Sequence, residues 1–251
     1  MDASEYRLMA EVAQRHWWYV ACRRLLGSLL AAELGRADPS EFEILDAGCG
    51  VGATGGWLGE FGQVIALDNS PDALALYGEA FPRATRIEGS IERIELPNSS
   101  VDLVVCVTVL YHAAVNDPGN ALDEFFRVLK PGGALCLLEP GMSRFRRGHD
   151  EATHGARRFD LAEIRGLVAR SGLSIEKSTG AFSFLVPPAW VLSKFFGSRS
   201  GSDLSSNSSG LFGLFGALAA AERWFVRRMS IPFGLSVVVI GRKPSAPSGV
   251  R

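Results

Sequence analysis

The stretch that decides the fold is "LDAGCGVG", Leu45 to Gly52. It follows the apolar run "FEIL" directly, and Gly48, Gly50 and Gly52 alternate behind Asp46. Glycine reaches positive φ without steric cost and lets backbone N–H groups come close to a ligand. An apolar run entering such a turn is how a strand hands over to a ligand-cradling loop and helix.

Three kinds of ligand compete for such a loop. A Walker-type triphosphate loop is excluded, because no Gly-Lys-Ser/Thr follows the glycines. Gly48, Gly50 and Ala53 do satisfy the looser dinucleotide fingerprint, with Asp68 roughly 20 residues on, where a ribose-binding acid belongs. A nicotinamide-dependent oxidoreductase is therefore one reading. Asp46 argues against it, since its carboxylate would repel a pyrophosphate by roughly 4 kcal/mol per unit charge at ~4 Å and an effective dielectric of ~20. The same carboxylate favours a ligand bearing an ammonium and a sulfonium. S-adenosylmethionine has both, carries no phosphate, and offers ribose hydroxyls to Asp68. The plainer alternative for Asp46 is a carboxylate stabilised by the following helix N-terminus.

The rest of the chain fits a single α/β domain. At 251 residues and 47% hydrophobic content it can bury one full core. A net charge of −1 gives no support for nucleic-acid binding. Cys22, Cys49, Cys106 and Cys136 are widely spaced, without zinc or disulfide patterning, and read as reduced structural thiols; no metal site is expected. The N-terminus lacks an apolar signal core and "LFGLFGALAAA" is too short to span a bilayer, so a cytoplasmic protein is expected, peripheral at most on the inner membrane surface.

Residues 1–38 read as a helical cap containing "WWYVACRRLLGSLLAAEL". The apolar runs "FEILDAG", "QVIALD", "VDLVVCVTVL" and "GALCLLEP" read as strands, separated by helices such as "SPDALALYGEAF", with Ser70 as N-cap and Pro71 behind it. In "NALDEFFRVL", Leu122, Phe125, Phe126 and Leu129 share a face, and "KPGG" stops the helix. Continuous apolar strands alternating with amphipathic helices indicate a parallel sheet covered on both sides. "DLAEIRGLVARSG" is a capped helix, and "LSIEKSTGAFSF" and "LSVVVIGRKP" are further strands. The core thus occupies residues 41–183 and 235–243. An apolar helical insertion at 184–234 carries a Ser/Gly loop expected to be mobile around residues 201–210, and a tail at 244–251 is expected to fray.

On "LDAGCGVG", "VIALDNSPDAL", "LPNSSVDLVVCVTVLYH" and "FFRVLKPGGALCLLEP", the sequence resembles the class I S-adenosylmethionine-dependent methyltransferases of the type 11-like group over about residues 42–140. "HWWYVACRRLL", "HDEATHGARRFDLAEI" and the apolar insertion look like a bacterial subgroup associated with lipid-linked, isoprenoid or otherwise hydrophobic acceptors. The resemblance implies a Rossmann-like, doubly wound, mostly parallel seven-stranded sheet with an antiparallel last strand. It implies that Asp46, Gly48, Cys49 and Gly50 line the methionine part of the donor, with Asp68 at the ribose. Asn69, Ser90, Ile91 and Val107 would surround the adenine side; Ser90 stands where many relatives carry an acid, and a hydroxyl accepts more weakly than a carboxylate. A member that binds the donor without methylating remains an alternative.

Chemistry in open α/β sheets sits outside the carboxyl ends of the strands. That rule makes Tyr111 and His112, after the third strand run, candidates for catalysis. His149, oriented by Asp150 and with His154 nearby, is the candidate base, since an imidazole near neutral pKa accepts a proton from a hydroxyl or amine. These residues would otherwise cap a helix or pair with Arg157 or Arg158. Arg144, Arg146, Arg147, Arg157 and Arg158 form a basic region suited to a substrate phosphate or carboxylate, or simply to solvent. Trp18 and Tyr19 are candidates to close over the donor, beside Trp17, with Arg23 reaching its carboxylate; ordinary core packing is the alternative. The insertion suits a lid over a hydrophobic or lipid-linked acceptor, a homodimer face or a membrane surface.

Overall fold

The computed structural model describes residues 3–35, 38, 40–143, 155–190 and 209–245. Seven strands, β1 (Glu43–Ala47), β2 (Gln63–Asp68), β3 (Thr85–Glu88), β4 (Val101–Val107), β5 (Leu129–Pro140), β6 (Ser174–Ala181) and β7 (Ser236–Arg242), form one sheet in the order β3-β2-β1-β4-β5-β7-β6. β1 pairs in parallel with β2 and β4, β2 with β3, and β4 with β5. β7 runs antiparallel between β5 and β6, as the resemblance implies. The chain walks outward from β1 to β3 and then returns to start β4 on the other side of β1. That reversal opens a crevice at the carboxyl ends of β1 and β4.

Both faces are covered, which is why the strands read as unbroken apolar runs rather than alternating ones. Ile44, Val64, Leu103, Val105, Cys136 and Val238 pack against Cys22, Leu25 and Leu26 of α2 (Trp17–Leu29) and against Leu74 and Tyr77 of α4 (Pro71–Ala80). Their neighbours Leu45, Val104, Leu135, Leu137 and Val239 pack on the opposite side. There they meet Leu122 and Phe125 of α5 (Pro118–Val128) and Ile164 and Val168 of α6 (Leu161–Arg170). All four cysteines are buried free thiols. The cap consists of α1 (Ala3–Ala13), α2 and the short α3 (Ala31–Leu34). The insertion supplies the long helix α7 (Ser209–Arg228), which packs on α2 and β6.

Several local expectations change. β3 has no apolar run in sequence because "TRIE" is an edge strand, exposed at three of its four residues. The turn after Gly52 makes only a 3-10 helix, Gly56–Glu60, consistent with the destabilising effect of two consecutive glycines. "KPGG" stops α5 as expected, but the residues belong to β5, which begins at Leu129. The third strand run ends at Val107, not at Leu110, because Thr108 turns to φ 55° and leaves the sheet. The Ser/Gly loop expected at 201–210 lies outside the described residues but for its last two positions, as does the tail from 246 onward.

Candidate cofactor site

The crevice between β1 and β4 is floored by the glycine turn. Gly48, Gly50 and Gly52 have φ of 72°, 53° and 78°, a run that other residues adopt only with strain. Gly48 and Cys49 donate to the Leu67 carbonyl at 2.7 and 3.0 Å, tying the turn to β2. A Cβ on Gly48 would strike Val109 at 2.5 Å, whereas a Cβ on Gly50 would meet nothing within 4 Å. Gly50 therefore presents its backbone to open space, which is the form of a ligand cradle. Gly50→Ala should cost about 1 kcal/mol of stability through its positive φ. Ligand affinity should fall more, about tenfold or beyond, because the methyl enters the cradle. Paired denaturation and calorimetric titrations separate the two effects.

Two carboxylates border this cradle. Asp68 is buried, and its Oδ2 accepts from Gly50 N–H at 2.8 Å while Oδ1 accepts from Ser70 N–H at 2.9 Å. It thus clamps the glycine turn to the start of α4, whose N-cap Ser70 accepts from Ala73 N–H at 3.3 Å. Burial raises its pKa, opposed by those backbone donors. Asp46 lies deeper, tucked over Gly55, where a Cβ would come within 2.2 Å of its Oδ2. Its partner is the Tyr77 hydroxyl at 3.4 Å, and burial lifts its pKa to about 7, with Asp68 adding to the rise. A desolvated carboxyl with one long hydrogen bond is poised to ionise when a cation arrives.

The opposite wall is the turn after β4. Glu139, fully buried at the end of β5, accepts from the N–H groups of Val109, Leu110 and Tyr111 at 3.1, 2.9 and 3.3 Å. Burial pushes its pKa up to about 8, against the pull of those three donors. This clasp holds Tyr111 and His112 at the carboxyl edge of the sheet, both half-buried. His112 Nδ1 accepts from Ala114 N–H at 3.1 Å, so the proton of the neutral ring sits on Nε2. Residues 155–159 close in beside it: Ala156 and Arg157 N–H donate to the Tyr111 carbonyl at 2.9 and 3.3 Å.

The cap residues are placed differently from one another. Tyr19 is buried among Ala13, Val51 and Ala53, and Trp18 packs edge-on to it, with ring centroids 5.1 Å apart. Both therefore seat α2 against the glycine turn. The Arg23 guanidinium donates to the carbonyls of Ala13 at 2.9 Å and Ala53 at 2.6 Å, and to Gln14 at 3.3 Å. In this structure Arg23 ties α1, α2 and the turn together. Ser90 is exposed, its Oγ accepting from Glu92 N–H at 3.1 Å, while Ile91 is buried. Asn69 and Val107 stand at the ends of β2 and β4. His149, Asp150, His154, Arg144, Arg146 and Arg147 lie outside the described residues. Of the remaining basic pair, Arg157 donates to the Val115 carbonyl at 3.2 Å and Arg158 to Gly141 at 3.1 Å, so both brace loops.

Three contributors were not anticipated: Tyr6, Tyr77 and Glu139. Tyr6 of α1 hydrogen-bonds Ser70 and senses the Asp68 charge. Nothing in its polar surroundings in sequence marks it. Glu139 did carry a signal, an acid closing an apolar run just as Asp46 does.

A methyltransferase-domain family model matches residues 45–137, the stretch containing the glycine turn, Asp46, Asp68, β4 and most of β5. A Mycolicibacterium smegmatis protein described as a "probable S-adenosylmethionine-dependent methyltransferase" is 28% identical over 179 residues, covering 70% of this chain and 66% of that one. Over residues 45–137 the chain matches the methyltransferase-domain family, and it shares the fold of S-adenosylmethionine-dependent methyltransferases. A Yersinia pestis malonyl-(acyl-carrier protein) O-methyltransferase is 39% identical over 99 residues, 38% of this chain and 36% of the relative. The chain thus spans less than two thirds of either relative's length. The S-adenosylmethionine-dependent methyltransferase of Mesorhizobium loti has the same fold, with a TM-score of 0.56 at 18% identity over 87% of this chain and 99% of that one. S-adenosylmethionine is the cofactor of this methyltransferase family. The site fits it: an open glycine cradle, a desolvated carboxyl for a cationic group, and a clamped carboxylate for hydroxyls.

Proposed function

We propose that this chain transfers the methyl group of S-adenosylmethionine to a small hydrophobic or lipid-linked acceptor. The observation that carries the donor side is the pair Asp46 and Asp68 around the open backbone of Gly50. Asp46 would meet the donor's ammonium, Asp68 its ribose, and the Glu139-clasped turn would form the wall facing the reacting centre. The bound donor supplies an electrophilic methyl group; the protein's contribution is alignment, which can account for ~7–11 kcal/mol of a displacement barrier. Tyr111 and His112 stand where an acceptor would lie, with His112 suited to donate a hydrogen bond through Nε2. A base role for His149, with Asp150 and His154, stays a proposal of the sequence alone.

One observation favours an apolar acceptor. Trp17 meets Phe215 and Phe182 with ring centroids 5.2 and 6.3 Å apart, and Phe184 meets Phe182 at 6.5 Å, so an aromatic cluster joins α2, α7 and the end of β6. The Yersinia relative, by its name an O-methyltransferase of malonyl-(acyl-carrier protein), supports a carrier-linked rather than a free acceptor.

Calorimetry with S-adenosylhomocysteine and with NAD tests the donor reading. Tight NAD binding without response to S-adenosylhomocysteine would refute it. The pH dependence is a sharper check. Asp46 has a raised pKa of about 7 in the free protein, and the cationic ligand selects its ionised form. Affinity should therefore rise with pH, gaining about tenfold between pH 6 and pH 8, and level off above. Asp46→Asn should bind weakly and flatten that slope. A wild-type affinity independent of pH across this range would remove Asp46 from the ammonium site.

A further inference from the structure

α2 and α7 leave a groove of about 310 Å³ between them, at the small end of the range for small-molecule sites. Trp17, Val20 and Ala220 give it apolar walls. Gly216 lines it too, and a Cβ built there would meet nothing within 4 Å, so the space is open. Three cations share this lining: Arg15 from the turn before α2, Arg24 of α2 and Arg223 of α7.

No acid lines the groove, and among the described residues none of these three arginines forms an ion pair. Glu222, the neighbour of Arg223 in sequence, is engaged elsewhere. It accepts from Phe182 N–H at 2.6 Å, from Ser183 N–H at 2.7 Å and from the Ser183 hydroxyl. The stretch from 191 to 208 carries Lys194 and Arg199 against Asp203, so it brings no net negative charge to answer them. Guanidiniums around one small space repel one another, and an anion among them relieves that repulsion. Their stems meanwhile lie along apolar surface.

We propose that this groove binds an amphiphilic phosphate monoester, with the phosphate among Arg15, Arg24 and Arg223 and the first carbons of an alkyl chain on Trp17, Val20 and Ala220. A phosphate monoester carries about two negative charges and three acceptor oxygens, so it answers more than one guanidinium, whereas a carboxylate fills a single fork. Inorganic phosphate would leave the apolar walls unused. Trp17 also belongs to the aromatic cluster with Phe182 and Phe215, so a longer chain continues onto apolar surface. The proposal stands on the lining of the groove and does not depend on which acceptor is methylated.

The test is calorimetric titration of the full chain with octyl phosphate, beside inorganic phosphate and octyltrimethylammonium. Octyl phosphate should bind at least about tenfold more tightly than either, through the apolar walls in the first comparison and the charge in the second. High salt should weaken it. Arg15→Gln, Arg24→Gln and Arg223→Gln together should lower its affinity about 20-fold or more. Gly216→Leu should lower it about tenfold or more by filling the groove, in a helix that leucine suits better than glycine. S-adenosylhomocysteine affinity, unchanged in each variant, certifies the fold; should one variant fail that check, the other carries the test. Inorganic phosphate bound as tightly as its octyl ester, equal binding of the cationic amphiphile, no binding of octyl phosphate, or full affinity in a folded variant would each overturn the proposal.

Discussion

Glu139→Ala is expected to lower the folding free energy by about 3–5 kcal/mol, read as a shift of the urea midpoint. The carboxyl is fully buried and is the shared acceptor for three consecutive N–H groups. Each buried donor left without a partner costs about 1–3 kcal/mol, and partial relaxation keeps the sum below three full penalties. The substitution should also loosen the turn that carries Tyr111 and His112. Glu139→Gln keeps the shape and one carbonyl acceptor, so it should cost less. It also isolates the pH effect. The folded-state pKa of Glu139 is raised to about 8 from an ordinary value of 4.5. The folded protein therefore holds more protons than the unfolded chain between these values, and stability must fall as pH rises through that window. The glutamine variant should show a flatter decline. An alanine variant as stable as the parent would mean that the turn finds other acceptors.

Asp68→Ala should weaken S-adenosylhomocysteine binding by roughly 1.5–3 kcal/mol, about 10- to 150-fold, by removing a charge-assisted bond to the ribose hydroxyls. The structure adds a second consequence. Asp68 also holds Gly50 N–H and Ser70 N–H, so the alanine variant should loosen the glycine turn in the free protein. Hydrogen exchange at Gly50 and Ser70 should quicken accordingly. Asp68→Asn, which keeps acceptor oxygen but not the charge, should fall between. Unchanged affinity in a folded alanine variant would remove Asp68 from the ribose site.

Much of this molecule is legible from its residues. The strands β1, β2, β4, β5 and β7 announce themselves because a sheet covered on both faces demands continuous apolar runs. Ser70 and Pro71 mark the start of α4 because N-cap chemistry is local. The alternating glycines and the acids ending β1 and β2 disclose the ligand class, since positive φ and a well-placed charge are properties of the residues themselves. β3 stayed hidden because a polar edge strand owes its existence to pairing with β2, not to its own sequence.

The sequence by itself determined the sheet's apolar strands, the glycine cradle and the pair of carboxylates beside it. Tertiary structure alone decided how those groups are employed. It turned Arg23 onto carbonyls 10 and 30 residues away, and bent Glu139 across to a turn nearly 30 residues earlier in the chain. It also buried Asp46 deeply enough to lift its pKa to about 7, and left Leu214, Leu218 and Phe225 of α7 exposed. The reason is physical: hydrophobic periodicity reports burial element by element, whereas desolvation and long-range hydrogen bonds depend on which elements meet.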